Sequence, residues 1–189
     1  MRLCPKLNSK WIAPLILLFC LLSSFGSSLD QLRATPNLTP EKFATLFTQF
    51  AFIYSDDVQN PVRFLDTHSG DCDDFSILAA SILKEKGYTP RLIAIRMPKI
   101  VHVVCYIEQT HAYLDYNLRQ TSALVPCDSD ISQIAASVAR SYGLTWSSAS
   151  EFTWDATASL NGNSRGAKRL VKTVVAPKAH NGIFATILK

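Results

Sequence analysis

Apolar residues recur along the chain with two different periods, and the period changes where the elements change. Phe43, Phe47, Phe50 and Tyr54 follow one another at spacings of 4, 3 and 4, with Leu46 beside them, which predicts one apolar helical face. Thr39 and Pro40 stand before it as N-cap and first helical residue. Residues 29–38 read as a polar lead-in. Residues 55–71 carry Ser, Asp, Asn, Pro and Gly, the composition of a loop. A second helix opens at Ser69-Gly70-Asp71-Cys72-Asp73-Asp74. Its buried face is Phe75, Leu78, Ala79, Ile82 and Leu83, and Lys84, Lys86 and Gly87 mark its end. Alternating patterns then predict strands at 91–96, 101–107 and 112–117, the last two joined as a hairpin by a short link. Helical spacing returns over residues 131–142 and stops at Gly143. Phe152 with Trp154, and residues 170–175, read as late strands. Helices first and antiparallel strands later make an α+β domain.

The first residues follow another rule. Arg2, Lys6 and Lys10 precede an apolar run at 11–22, and small residues follow up to Ser28, the layout of a secretory signal. The run is shorter than the roughly 18–20 residues a membrane span needs, and Pro14 interrupts it. The expected division is therefore a signal peptide at 1–28 and one domain at 29–189, exported to a periplasmic or extracellular space. An anchor formed by residues 11–25 is the alternative.

Composition narrows the class. With 48% hydrophobic and 18% charged residues the chain is not a disordered one. A net charge of +4 is too small to argue for a nucleic-acid partner. The charge is uneven: residues 159–189 hold six basic residues and no acid. A solvated terminal strand and loop is the ordinary reading of that segment, and contact with an anionic surface the sharper one. Removal of the signal leaves Cys72, Cys105 and Cys127, an odd number, so at least one thiol has no partner within the chain. A Cys105–Cys127 disulfide and a free buried Cys105 are equal alternatives.

Cys72 begins a helix, where free backbone N–H groups and the helix dipole favour a thiolate. Polar neighbours and a loop-to-helix junction argue against an inert core cysteine. Gly70, two positions earlier, is expected to let a substrate backbone approach. Asp71, Asp73 and Asp74 suit a helix N-terminus and receive no catalytic role. A nucleophilic thiol needs a base, and the base an orienter. His102 lies in an apolar strand on the face of Val104 and Tyr106, and Cys105 points to the other face. Asp115, between Leu114 and Tyr116, is costly to bury without a partner, and a hairpin brings it within reach of His102. A structural His–Asp pair is the plainer reading. His68 and His111 fall in loops and His180 in the tail. A metal site from Cys72, His102 and Asp115 lacks supporting ligand spacing, and no acidic loop has calcium-ligand spacing.

These residues carry a resemblance. Gly70-Asp71-Cys72-Asp73-Asp74-Phe75-Ser76, a helix ending Lys86-Gly87-Tyr88, Arg91-Leu92-Ile93, His102-Val103-Val104 and Leu114-Asp115-Tyr116-Asn117 resemble the transglutaminase-like superfamily, including its bacterial cysteine-peptidase branch. The likeness spans about residues 68–118. It implies a papain-like α+β core in which N-terminal helices pack on an antiparallel sheet. It also implies Cys72 as nucleophile, His102 as general base and acid, and Asp115 as orienter, with no cofactor. The implied reaction is acyl transfer through a thioester. The preferred outcome is hydrolysis of a peptide, protein or cell-wall-type amide. A protein-glutamine transglutaminase, or a binding domain on the same fold, are the alternatives. Cys72 and His102 are only 30 positions apart and Asp115 only 13 further, a compact version. No motif identifies an oxyanion-stabilising side chain. Gln49 and Gln59 are candidates, and the Cys72 backbone N–H is the more economical donor.

Overall fold

A computed structural model describes residues 28–155 and 167–177. The signal-peptide reading of 1–28, apart from Ser28, and His180 lie outside the described residues, as does much of the basic segment 159–189.

Strands β3 (Pro90–Met97), β4 (Ile100–Ile107), β5 (Ala112–Leu114), β6 (Val125–Pro126), β7 (Ser148–Asp155) and β8 (Ala167–Val175) form an antiparallel sheet. Its order is β6-β5-β4-β3-β7-β8. Alternation within the strands gives the sheet two apolar faces. Leu92, Ala94, Val103, Cys105, Ile107, Leu114 and Phe152 face the long helix that begins at Cys72. Ile93, Ile95, Val104, Tyr106, Tyr113 and Ala149 face a second helix, Ile131–Ser141, through Ile131, Ile134, Ala135, Val138 and Ala139. The architecture is α+β, with helices on both faces of the sheet rather than on one.

The N-terminal part is more broken than its apolar pattern suggests. Helix α1 (Leu29–Ala34) occupies the expected lead-in, begun by a Ser28 capping box. Helix α2 (Pro40–Thr45) starts where Thr39 caps the Lys42 N–H, but stops after six residues. Phe43, Phe47 and Phe50 are buried as expected, whereas Tyr54 is 72% exposed. The chain leaves the helix because strand β1 (Ala51–Phe52) pairs in parallel with β2 (Ser69–Gly70). The loop expected at 55–71 contains helix α3 (Pro61–Thr67), capped by the Asn60 side chain. Phe64 from α3 stacks on Phe47 at 5.7 Å between centroids. Arg119 ties this layer down: its guanidinium lies over the Tyr116 ring and donates to the Phe47 and Phe50 carbonyls.

Helix α4 (Cys72–Glu85) ends at Lys86, with Gly87 at positive φ as anticipated. Ser76 Oγ on α4 donates to the Val103 carbonyl on β4 at 3.1 Å, fixing the helix against the strand that carries His102. Helix α5 is Ile131–Ser141.

Gly70 plays a different part from the one its position suggested. It is buried, and a Cβ placed there would lie 2.5 Å from Asp74 Oδ2 and 2.6 Å from Phe64 Cδ2. The glycine is needed for internal packing, not for substrate approach. Gly70→Ala is therefore expected to lower folding stability by about 1–3 kcal/mol, the usual cost of overpacking, read as a lower denaturant midpoint with an unchanged slope.

Candidate active site

Cys72 is the first residue of α4, directly after the N-cap Asp71. The helix start is held by a capping box: Asp71 accepts from the Asp73 N–H, and Asp74 Oδ2 accepts from the Asp71 N–H at 3.1 Å. Asp74 also takes the Gln59 N–H and the Gln59 side-chain amide, and Asp71 Oδ2 takes the Ser55 N–H. These two acids therefore fasten the preceding loop to the helix that presents Cys72. Of the two oxyanion-donor candidates, the Gln59 side chain is committed to Asp74 and Ser69, and Gln49 is exposed. The Cys72 N–H belongs to the first turn, whose donors have no intrahelical acceptor.

His102 is 4% exposed and Asp115 2% exposed. His102 Nε2 donates to Asp115 Oδ1 at 3.0 Å. The β4–β5 register pairs Cys105 with Leu114, so one step further sets Asp115 beside Val104. His102, two residues along the same face, reaches it diagonally. The expected strand at 112–117 stops at Leu114, because Asp115 Oδ1 also accepts the Asn117 N–H at 2.9 Å and caps a 3-10 turn, Tyr116–Leu118.

The Cys72 side chain is close enough to His102 to act on its titration. Burial works to lower the His102 pKa. Hydrogen bonds to Asp115 and Cys72, with their charges, outweigh it and raise the pKa to about 10. The stability this pairing contributes is fully present below the ordinary histidine value of 6.5 and is lost as the pH rises through about 10. Cys105 is buried and its thiol pKa is pushed well up by desolvation. Cys127 is half-buried and also raised, mainly by desolvation. Among the described residues Cys72, Cys105 and Cys127 are free thiols, so the alternative of a Cys105–Cys127 disulfide is not realised. His68 and His111 are exposed in left-handed backbone positions, away from this cluster.

Asp73, the residue after Cys72, is half-buried, and its Oδ1 has no hydrogen-bond partner. Burial, then the hydrogen bond and charge of Asp71, raise its pKa to about 8. The raised value favours the neutral acid, so Asp73 places less negative charge beside Cys72 than an ordinary aspartate would. Asp71, Asp73 and Asp74 each offer an oxygen within 4.8 Å of the others, the described residues that could hold a cation, but two of them are already occupied as helix-cap acceptors.

Sequence reasoning missed one side chain. Tyr142, the C-cap of α5, brings its hydroxyl to 3.2 Å from His102 Nε2 and accepts a 2.7 Å bond from the Asn117 amide. Its only sequence signal was the apolar face of the 131–142 helix, where it read as core. A cleft of about 670 Å³ is lined by Tyr54, Arg96, Met97, Lys99, Ile100 and Val101, none of them a member of the Cys72, His102 and Asp115 group. Val101 adjoins His102, and Tyr54 adjoins Ser55, which is bonded to the residue before Cys72.

A family model described as a transglutaminase-like domain matches residues 33–139, more than half of the chain. Among solved structures, LapG of Legionella pneumophila is similar at 20% identity, covering 66% of this chain and 70% of that one, with a TM-score of 0.45. Its calcium-bound form is similar at 19% identity, covering 80% and 78%, with a TM-score of 0.45. No curated protein matches.

Two outcomes follow from the charges. Asp115→Asn removes the hydrogen-bonded anion that raises the His102 pKa and fixes its ring, so alkylation of Cys72 by iodoacetamide at pH 7 is expected to slow on the order of 10-fold. For Asp73, the folded protein binds more protons than the unfolded chain between the ordinary value of 3.8 and about 8. The stability contributed by this group falls across that window as the pH rises. Asp73→Asn removes that loss, so thermal melts should show the variant gaining on the parent from pH 4 to pH 8 and the gap levelling off above it.

Proposed function

The chain belongs to the transglutaminase-like domain family, and on that footing we propose that it is an exported cysteine-dependent acyl-transfer enzyme that hydrolyses amides. The observation that carries the reading is the buried His102–Asp115 bond at 3.0 Å, with Cys72 at the helix start among the groups that raise the pKa of the same imidazole. A nucleophile, a base and an orienter in that order suit acyl transfer. A structural His–Asp pair has no use for a thiol at a helix start.

Each group takes one part. The Cys72 thiolate attacks the amide carbonyl carbon, forming a C–S bond while the carbonyl electrons move to oxygen. The Cys72 N–H donates to that oxyanion. As the intermediate collapses, the C–N bond breaks and imidazolium His102 gives its proton to the leaving amine. A thioester remains on Cys72. Neutral His102 then takes a proton from water, hydroxide adds to the thioester carbonyl, and the carboxylic acid leaves with regeneration of the thiolate–imidazolium pair. Asp115 keeps Nε2 protonated and Nδ1 turned to the thiol throughout. The substrate is a peptide, protein or cell-wall-type amide lying along the cleft between Tyr54 and the β3–β4 hairpin. The signal-like segment before Ser28 supports export, and the six basic residues of 159–189 suit contact with an anionic surface there.

Incubation with a denatured protein and with a muropeptide mixture tests the reading. New amino groups, and an acid-trapped acyl adduct on the Cys72 peptide, are expected with the parent and absent with Cys72→Ala. Product that retains an added excess amine would instead make the enzyme a transferase, and no adduct from any substrate would leave a binding domain.

A further inference from the structure

The acyl-transfer reading leaves one strongly placed group unused. Tyr142 is on neither strand of the His–Asp hairpin, nor on the helix of Cys72. It reaches the site from the C-terminal end of α5, on the opposite side of the sheet from α4. Its ring packs against that of His102, with centroids 5.1 Å apart and planes tilted by 59°. Its hydroxyl oxygen sits 3.2 Å from the nitrogen that also donates to Asp115.

Donor and acceptor capacities settle the direction of this contact. With Asp115 as acceptor, Nε2 carries hydrogen, so Tyr142 Oη meets it as an acceptor. Asn117 fixes the orientation by donating its amide hydrogen to the same oxygen at 2.7 Å. Asn117 is itself bound to Asp115 through its backbone N–H. The result is a closed ring of four groups: His102, Asp115, Asn117 and Tyr142. Asp115 Oδ2 is buried and has no partner, so the carboxylate gives the imidazolium a single oxygen, and Tyr142 supplies the second acceptor.

We infer that Tyr142 is a positioning residue of the acyl-transfer site, oriented by Asn117, which fixes the His102 ring with Nδ1 toward Cys72 and stabilises its protonated form by sharing the Nε2 hydrogen with Asp115. This rests on the reading of Cys72, His102 and Asp115 as the acyl-transfer machinery. The groups that face His102 are Cys72 from α4, Asp115 from beyond β5 and Tyr142 from beyond α5. Tyr142 itself also lies in the field of Asp115, Cys72 and Tyr113, and its own pKa is pushed up, chiefly by burial, so it stays a neutral phenol.

The test uses the full chain and needs no natural substrate. Three variants are compared with the parent: Tyr142→Phe, Asn117→Ala and both together. The readouts are the pH titration of His102 ring nitrogens by NMR, the rate of Cys72 alkylation by iodoacetamide at pH 7, and the thermal midpoint. Tyr142→Phe should lower the His102 pKa by on the order of half a unit and slow alkylation severalfold, as expected for one lost hydrogen bond to a charged group. Asn117→Ala should move both in the same direction by less. The double variant should match Tyr142→Phe, because the amide acts only through the phenol. A merely structural role would lower the thermal midpoint and leave the titration where it was, and that result overturns the proposal. So does an additive double variant. If Tyr142→Phe fails to fold, Asn117→Ala still decides by its titration, since Asn117 is an exposed side chain. Parent Cys72 that alkylates no faster than Cys127 would overturn the acyl-transfer reading itself, a result separate from an unchanged titration in a reactive protein.

Discussion

A buried carboxylate and a buried imidazole cannot each stand alone in this core. Transfer of an isolated charge from water into such surroundings is costly, and an unpartnered one would change its protonation or open the structure. Here Asp115 and His102 settle the matter with each other at 3.0 Å. The bond imposes conditions on everything around it. Strands β4 and β5 must pair in the register that leaves Asp115 one step past Leu114. Strand β5 must end there, since the oxygen that receives the imidazole also receives the Asn117 N–H and starts a 3-10 turn. One carboxylate thus finishes a strand and orients a histidine.

The second condition is the meeting of two faces. His102 points to the side of the sheet covered by α5, whereas Cys72 begins the helix on the other side. Cys72 acts on His102 from the first residue of α4 and not from the middle of the helix. That start is held in three ways: the capping box of Asp71 and Asp74, the Ser76 bond to β4, and tight packing at Gly70. The acidic run around Cys72 is therefore mostly scaffold. Burial and the charge of Asp71 push the Asp73 pKa up, which weakens the negative field of that run beside Cys72.

Much of this was legible in the sequence because the signals are local. Period two gave the strands and the opposed orientation of His102 and Cys105. Period 3.6 with Gly87 and Gly143 gave α4 and α5. What was illegible depends on contacts distant in sequence. The helix expected to carry Tyr54 stops early, because the chain after Phe50 is claimed by a strand partner, Ser69–Gly70. Helix α3 was hidden in a polar stretch, since only Phe64 and Leu65 of it are buried among the residues of a short helix. Gly70 and Gln59 looked like site residues because their chemistry allows it, and their actual partners, Phe64 and Asp74, lie on other elements. Tyr142 escaped notice for the converse reason: an aromatic at the end of an apolar helical face reads as core until the strand beneath it is known.

The central claim is that the buried pairing with Asp115 keeps the His102 imidazole protonated well above the ordinary histidine value of 6.5. Titration of the His102 ring nitrogens by NMR, in the parent and in Asp115→Asn, tests it most directly. The account predicts a parent titration at about 10 that moves down by on the order of 1 unit or more when the carboxylate is replaced. A ring that titrates near 6.5 in both proteins would contradict the account.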